Sequence, residues 1–145
     1  MIKVEHLVKK FGLRTAVDDM SFTVEKGTVL GFLGPNGAGK TTTIRMIAGY
    51  LPPTAGGVWV NGVDVVADRV AAQRQIGYMP ENTPLYDEMT VAGFLKFMAE
   101  VRGFAGAARD RRVDEMLEAC TLTGVRHQPI ETLSKGYRQR TCLAQ

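Results

Sequence analysis

The sequence predicts an α/β fold with an antiparallel β subdomain and a helical subdomain, and three observations support this prediction. An apolar run over residues 29–33 predicts a strand that leads into a glycine-rich turn, and a helical pattern over residues 40–48 follows it. The segment GGVWVNG ends in Asn-Gly, which is typical of a β-hairpin. From residue 84 onward, apolar residues recur mostly at helical spacing.

The first half of the chain alternates β-type runs with turns. Runs at residues 2–8 and 20–24 predict two strands, separated by a loop at residues 11–15. The helix predicted over residues 40–48 is followed by helix-breaking residues, Gly49, Pro52 and Pro53. GGVWVNG predicts a strand and a hairpin turn, and QIGYMPE predicts another short strand that runs into a loop.

The second half of the chain predicts two amphipathic helices. Thr90 can cap the first, whose apolar residues at i, i+3, i+4 and i+7 are Val91, Phe94, Leu95 and Met98. The second helix repeats this spacing and is expected to stop at Gly124; its apolar residues are Val113, Met116, Leu117 and Cys120. The predicted domains are therefore residues 1–83 and residues 84–145, with a border in the proline-containing segment 80–84.

The composition is that of a folded protein rather than a disordered tail, with 45% hydrophobic residues, 23% charged residues and a net charge of +3. A solvated helix face explains the basic group Arg109, Arg111 and Arg112, so we expect no nucleic-acid partner. Cys120 and Cys142 lack metal-type spacing and indicate reduced cytosolic thiols. No apolar run approaches the ~20 residues of a membrane span, so a membrane connection is expected to come through a partner.

The segment GPNGAGKTT matches the phosphate-loop pattern G-x-x-x-x-G-K-[ST]. Glycines let the backbone wrap closely around phosphate oxygens, and the following helix adds its positive end. Lys40 supplies a mobile cation for the outer phosphates, and the Thr41 hydroxyl suits Mg²⁺. The alternative is a glycine-rich turn that precedes a helix by chance. We predict a site for ATP and Mg²⁺ formed by Gly34, Pro35, Asn36, Gly37, Ala38, Gly39, Lys40, Thr41 and Thr42.

A second motif, LSKGYRQR, resembles the signature sequence of ABC-type ATPases, usually Leu-Ser-Gly-Gly-Gln followed by a basic helix. Leu133, Ser134 and Gly136 match this pattern, whereas Lys135 and Tyr137 depart from it. The similarity extends in order through AVDDMSFTVEKG, GPNGAGKTT and IGYMPE, over essentially the whole chain. The chain looks like the ATP-binding subunits of bacterial ABC-2 type exporters, including the gliding-motility and drug-resistance kinds. This resemblance implies a P-loop NTPase core of the ABC type.

The resemblance also implies roles for individual residues. The signature residues, Leu133 to Tyr137, would complete the γ-phosphate pocket of a second subunit, so that a homodimer encloses two ATP molecules; a plain N-cap is the alternative for Ser134. Phe11 would stack on adenine, or else anchor its loop in the core. Glu81 stands where the family has a Gln that touches Mg²⁺, which suggests a metal-binding and catalytic role; an ordinary loop Glu is the alternative.

The resemblance covers roughly the first two-thirds of an ATPase subunit. In the family, a strand ending in an Mg²⁺-binding Asp, a general-base Glu and a switch His follow the signature, and neither His6 nor His127 matches that His. We therefore expect residues 1–145 to bind ATP, with Lys40 and Glu81 as the catalytic candidates, but not to hydrolyse it alone. We also expect the apolar run 29–33 to be exposed, so that the chain is marginally stable or associates through that edge.

The parent protein implied by the resemblance is the ATP-binding subunit of a membrane exporter. It would lie on the cytoplasmic face of the membrane and work with a membrane-spanning permease. Two other functions remain open at this point. One is a soluble ABC-type ATPase that acts on ribosomes or DNA, which long charged inserts or a basic arm would favour. The other is a non-hydrolytic nucleotide-binding fragment.

Overall fold

The computed structural model describes residues 1–82 and 84–145, and the chain divides into two compact units. The first unit is Met1–Tyr78 and the second is Met79–Gln145. The first contains an antiparallel sheet and two helices, and the second is helical. The predicted α/β class, with an antiparallel β subdomain and a helical subdomain, is confirmed.

The first unit is built on a four-stranded antiparallel sheet in the order β2-β1-β3-β4. The strands are β1 (Ile2–Phe11), β2 (Arg14–Val24), β3 (Ala55–Val60) and β4 (Val63–Asp64). The helices are α1 (Lys40–Ile47), where the sequence predicts one, and α2 (Arg69–Gln73). Strand and helix residues together form one buried cluster of Val4, Leu7, Val17, Met46, Val58, Val60, Val65 and Ala72. The cluster holds α1 against the sheet because Met46 is part of it.

The first hairpin is longer than the sequence predicts. Phe11 pairs with Arg14 across a two-residue turn, so the loop expected at residues 11–15 is wrong and β2 begins well before the predicted run. The β1–β2 register shifts along the pair, and φ is positive at two residues on it, 47° at His6 and 44° at Asp19. Bulges of this kind interrupt the two-residue alternation. The interruption explains why the sequence suggested two short runs rather than two long strands.

The second hairpin is confirmed. Asn61 and Gly62 connect β3 to β4 with φ values of 47° and 84°, and two successive positive φ angles are what a tight hairpin turn with matching twist requires. Glycine is also needed at residue 56, where a Cβ would lie 2.1 Å from the carbonyl oxygen of His6. β3 can therefore pass β1 closely at the bulge.

The apolar run 29–33 does not form the predicted strand. No strand in the described part of the chain pairs with it. Val29 is 97% exposed and Leu33 is 94% exposed, while Phe32 packs edge-on against Phe22 with ring centroids 5.3 Å apart. An apolar run becomes a strand only beside a hydrogen-bonding neighbour. The run 29–33 is therefore exposed, as the sequence predicts, but it does not form a strand.

The segment QIGYMPE is also not a strand. Ile76 packs against the core of the first unit, and the Tyr78 ring lies 5.0 Å from the Tyr50 ring. Side-chain packing, rather than pairing in a ladder, holds this segment in place.

The second unit consists of α3 (Val91–Val101), α4 (Gly106–Ala119) and α5 (Lys135–Ala144), with two short 3₁₀ turns between α4 and α5. The predicted cap is confirmed, because the Thr90 hydroxyl oxygen accepts a hydrogen bond from the Gly93 N–H at 3.1 Å. The buried cluster comprises Val91, Phe94, Leu95, Ala99, Val113, Leu117, Leu122, Val125, Ile130, Leu133 and Ala144. None of the helices described in either unit is long and apolar enough to cross a membrane.

α4 ends earlier than the sequence predicts, at Ala119 rather than near Gly124. Thr121 adopts a left-handed conformation with φ of 56°, and its N–H donates to the Glu118 carbonyl at 3.0 Å. The Leu122 N–H donates to the Leu117 carbonyl at 2.7 Å. These two bonds form a Schellman motif, whose positive-φ position is more often glycine. Because threonine occupies that position here, the sequence pattern did not reveal the end of the helix.

The basic group on α4 is balanced by neighbouring carboxylates. Arg109 pairs with Glu100 and, at 2.8 Å, with Asp110, and Arg112 pairs with Glu115 at 3.1 Å. The hydrogen bond from Arg109 holds the pKa of the Asp110 carboxyl below its usual value. The predicted solvated helix face is what the structure shows.

Candidate functional site

The candidate site begins in the turn that leads into α1. Gly34, Gly37 and Gly39 have φ of 152°, 86° and 88°, and the Ala38 N–H donates to the Pro35 carbonyl at 3.2 Å. A Cβ on Gly39 would lie 2.4 Å from the Ala16 carbonyl oxygen, so this position requires glycine for contact as well as for conformation. The loop is consequently a tight turn pressed against the first part of β2.

α1 starts without a capping side chain. Gly39 occupies the N-cap, and the first intrahelical bond runs from the Thr43 N–H to the Gly39 carbonyl at 2.8 Å. The caps of α2, α3 and α5, by contrast, use the side chains of Asp68, Thr90 and Ser134, whereas α4 also starts without a capping side chain, at Ala105. The first N–H groups of α1 therefore have no capping oxygen and remain available to an anion.

Lys40 lies across the loop rather than away from it. Its Nζ donates to the Gly34 carbonyl at 2.6 Å and to the Pro35 carbonyl at 2.8 Å. Thr41 is exposed, whereas the Thr43 hydroxyl is buried and contacts the Met20 sulfur at 3.9 Å. An ammonium group, an exposed hydroxyl and free N–H groups thus meet at one helix end. This donor set fits a nucleotide phosphate chain with its Mg²⁺.

The tip of the first hairpin lies beside this loop. Phe11 is 50% exposed and lies outside the core, and the Lys9 Nζ sits 5.2 Å from the centre of its ring. Across the hairpin, the Arg14 Nη2 is 3.6 Å from the position that a Cβ on Gly37 would occupy. Sequence reasoning overlooked Arg14. Pairing of Phe11 with Arg14 would have placed Arg14 beside the predicted adenine-binding residue. The sequence analysis expected a loop at residues 11–15 instead of this pairing.

The signature residues lie at the start of α5 in the second unit. The Ser134 hydroxyl oxygen accepts a hydrogen bond from the Tyr137 N–H at 3.4 Å, so the N-cap role is present. Leu133 is buried, while Lys135 and Gly136 are exposed in the first helical turn. The Arg140 guanidinium lies 4.2 Å from the centre of the Tyr137 ring. A hydroxyl, exposed N–H groups and an added lysine are therefore collected at one helix end.

A second residue that sequence reasoning overlooked is Arg138. Its Nη2 pairs with Asp87 at 2.7 Å, and its Nη1 donates to the Ile130 carbonyl at 3.1 Å. Arg138 thereby fixes the start of α5 to the segment that precedes α3. Its position, directly after the five signature residues, was visible in the sequence, but its partners were not.

Glu81, the remaining candidate, and His6, which has no predicted role, lie outside the phosphate loop. Glu81 is exposed on a bend early in the second unit. His6 pairs through Nδ1 with Asp19 at 2.7 Å on the exposed bulge of the first hairpin. The structure thus places Phe11 and residues 34–42 in the first unit, and Glu81 and residues 133–137 in the second.

Comparison with known proteins gives a family match over most of the chain. The model of a family described as ABC transporter matches residues 17–145. The chain is 38% identical over 144 residues to the probable multidrug ABC transporter ATP-binding protein YbhF of Escherichia coli, covering 99% of this chain and 25% of that protein. It is 36% identical over 140 residues to the linearmycin resistance ATP-binding protein LnrL of Bacillus subtilis, covering 97% and 45%. The chain thus spans between a quarter and a half of these relatives.

Solved structures show the same fold. One described as the structure of the ATP binding subunit of an ABC transporter superposes with a TM-score of 0.85 at 29% identity, over 99% of this chain and 60% of that one. The dimeric post-hydrolysis structure of the ATP-binding cassette MJ0796, bound to ADP and Pi, superposes with a TM-score of 0.86 at 23% identity, over 99% and 68%.

Proposed function

Because the chain belongs to the ABC transporter family, we propose that it is the nucleotide-binding part of the ATP-binding subunit of a bacterial ABC-2 type exporter. The observation that carries the proposal is the glycine-rich turn that leads into an uncapped helix, with the Lys40 ammonium held across it. A phosphate chain supplies the oxygens that such a helix start lacks.

The first unit holds ATP in this proposal. The N–H groups of Gly37 and of residues 39–42 bind phosphate oxygens, and Lys40 exchanges its bonds with the loop carbonyls for bonds to the outer phosphates. Thr41 offers its hydroxyl to Mg²⁺, and the exposed ring of Phe11 stacks on adenine. The bound ion would neutralise phosphate charge and orient the outer phosphates.

The second unit supplies groups for nucleotide on a second copy of the chain. Ser134 and Gly136, at the start of α5, would contact the outer phosphate held by the other subunit of a homodimer, with Lys135 adding a positive charge. Apart from this contact to a second copy, Glu81 stands where the family has a Gln that touches Mg²⁺; it would ligate Mg²⁺ as a carboxylate and would place negative charge near the outer phosphate. In this proposal residues 1–145 bind ATP, and the intact protein hydrolyses it.

The transport function is proposed by analogy with relatives. Two of them carry the names probable multidrug ABC transporter ATP-binding protein and linearmycin resistance ATP-binding protein. By this analogy, the intact subunit lies at the cytoplasmic face of the membrane against a permease, and ATP binding and hydrolysis drive export. In this arrangement the ATP-binding subunit drives transport, and the permease determines which substrate is transported.

Calorimetric titration of Mg·ATP into the chain, with Lys40→Ala as the test variant, examines the binding proposal. A hydrogen bond to a charged group contributes about 1.5–3 kcal/mol, so the variant should bind roughly tenfold to a hundredfold more weakly. Lys26→Ala removes the same charge from an exposed turn before the loop and should bind as the wild type does. Equal affinity of wild type and Lys40→Ala would refute the proposal, provided that both unfold at the same temperature.

A further inference from the structure

We propose that Arg14 is a further nucleotide-binding residue, whose guanidinium binds the phosphate group next to the ribose. The inference rests on the proposed ATP site and adds to it a residue outside the phosphate-loop motif. Three observations within the first unit lead to it: the course of β2, the pairing of the hairpin and the charges around Arg14. The order of groups in a nucleotide then identifies the phosphate.

The first part of β2 runs directly along the phosphate loop. Arg14 Nη2 is 3.6 Å from the Cβ position of Gly37, and two residues further on the Ala16 carbonyl is 2.4 Å from the Cβ position of Gly39. The Val17 side chain is also 3.1 Å from the Gly39 position. These contacts put strand and loop side by side over several residues. The fold therefore fixes the start of β2 beside the loop, and from there the Arg14 side chain extends to Gly37.

The hairpin places Arg14 on the same face as Phe11. The two residues form a cross-strand pair, whereas Lys10 pairs with Thr15 in the next position and so belongs to the opposite face. Lys9 lies two residues before Phe11 and reaches its ring, as strand alternation requires. The proposed adenine platform and Arg14 therefore lie next to each other at the hairpin tip.

The guanidinium of Arg14 has no ion-pair partner among the described residues. Arg14 is exposed, and none of the ion pairs formed by the described residues includes it. The other cation of the loop, Lys40, is already bound to two carbonyls. A guanidinium presents a planar fork of donors that matches two phosphate oxygens. Arg14 therefore offers a phosphate-binding group at the edge of the loop.

The order of groups in a nucleotide decides which phosphate Arg14 meets. Base, ribose and phosphates follow one another, and Phe11 marks the base end while Lys40 marks the outer phosphates. Arg14 pairs with Phe11 and lies beside Gly37, between these ends. The group that a nucleotide presents there is its first phosphate. A contact to this phosphate is available in ATP, ADP and AMP alike, unlike the contacts of Lys40.

The test compares these three nucleotides by calorimetry at low ionic strength, on the 145-residue chain and three variants. Arg14→Gln removes the charge, Arg14→Lys keeps the charge without the planar fork, and Lys10→Gln removes a charge from the opposite face of the same hairpin. Since Arg14 is exposed, we expect Arg14→Gln to weaken binding roughly three- to tenfold, by a similar factor for all three nucleotides. Arg14→Lys should lose less, and Lys10→Gln should bind as the wild type does.

Several outcomes overturn the inference. They are binding by Arg14→Gln that is as tight as that of wild type, a loss of affinity in Lys10→Gln as large as that in Arg14→Gln, and a loss of affinity confined to ATP. If Arg14→Gln no longer unfolds cooperatively, the comparison of Arg14→Lys with Lys10→Gln decides in its place. The proposed function fails separately: a wild-type chain that binds none of the nucleotides, or a Lys40→Ala variant that binds ATP normally, refutes the site itself and the role of Arg14 with it.

Discussion

Two glycines of the phosphate loop have nearly the same backbone conformation but different surroundings. Gly37 has φ of 86° and Gly39 has φ of 88°. A Cβ on Gly37 would meet only the end of the Arg14 side chain at 3.6 Å, whereas one on Gly39 would meet the Ala16 carbonyl at 2.4 Å. The pair therefore separates the cost of a left-handed conformation from the cost of a clash with backbone.

We predict that Gly39→Ala destabilises the chain more than Gly37→Ala does. A left-handed alanine costs roughly 1–2 kcal/mol, which is the whole effect expected at Gly37. At Gly39 the displaced backbone adds about 1–3 kcal/mol. Urea unfolding of both variants measures the difference. Equal losses would mean that the loop moves away from β2 without resistance.

At the residue scale, the sequence predicted the site residues whose type and spacing are required by phosphate binding itself. The phosphate loop was recognisable because glycines, a lysine and a threonine at fixed spacing have few other uses. Arg14 and Arg138 were not recognisable, because their roles depend on what lies beside them. Arg14 depends on a hairpin register, and Arg138 on Asp87, which is 51 residues away in the chain.

At the element scale, the end of α4 rests on an unusual residue. Thr121 is exposed and takes the left-handed position of a Schellman motif, which is strained for a β-branched side chain. We predict that Thr121→Gly raises the free energy of unfolding by about 1 kcal/mol, since glycine adopts this conformation freely and its extra freedom in the unfolded chain offsets part of the gain.

Thr123→Gly is the matched control. Thr123 is also exposed and lies two residues away in a 3₁₀ turn, but it is not among the residues with positive φ. Glycine there should destabilise the chain or leave it unchanged. Thermal or urea unfolding of the two variants should therefore give shifts of opposite sign. A loss of stability in Thr121→Gly would show that the threonine makes a contact outweighing its strain.

The elements that the sequence predicted correctly are those with a local cause. Asn61-Gly62 forces a hairpin turn, and the Thr90 side chain caps its own helix, so neither depends on distant residues. The run 29–33 is different, because an apolar run becomes a strand only when another strand lies beside it. The bulges at His6 and Asp19 likewise depend on the pairing of β1 with β2.

At the scale of the whole molecule, the exposed apolar run 29–33 is the feature most at odds with a monomer. Val29 and Leu33 are almost fully exposed, and Leu30 is partly so. Their backbone lies outside the sheet in the described structure and offers unpaired hydrogen-bonding groups. Burying one large apolar side chain contributes about 1.5–3 kcal/mol, so pairing of two such runs would favour association of chains.

We therefore predict that the chain self-associates as its concentration rises, and that Val29→Lys combined with Leu33→Lys shifts it towards monomer. Lysine opposes strand pairing through its charge and the cost of burying it. Leu13→Lys serves as the control, because Leu13 is equally exposed but stands alone at the hairpin turn. Sedimentation velocity over a concentration series measures the association. A wild-type chain that stays monomeric throughout the series, or a control that dissociates as fully as the double variant, would show that the run 29–33 does not drive association.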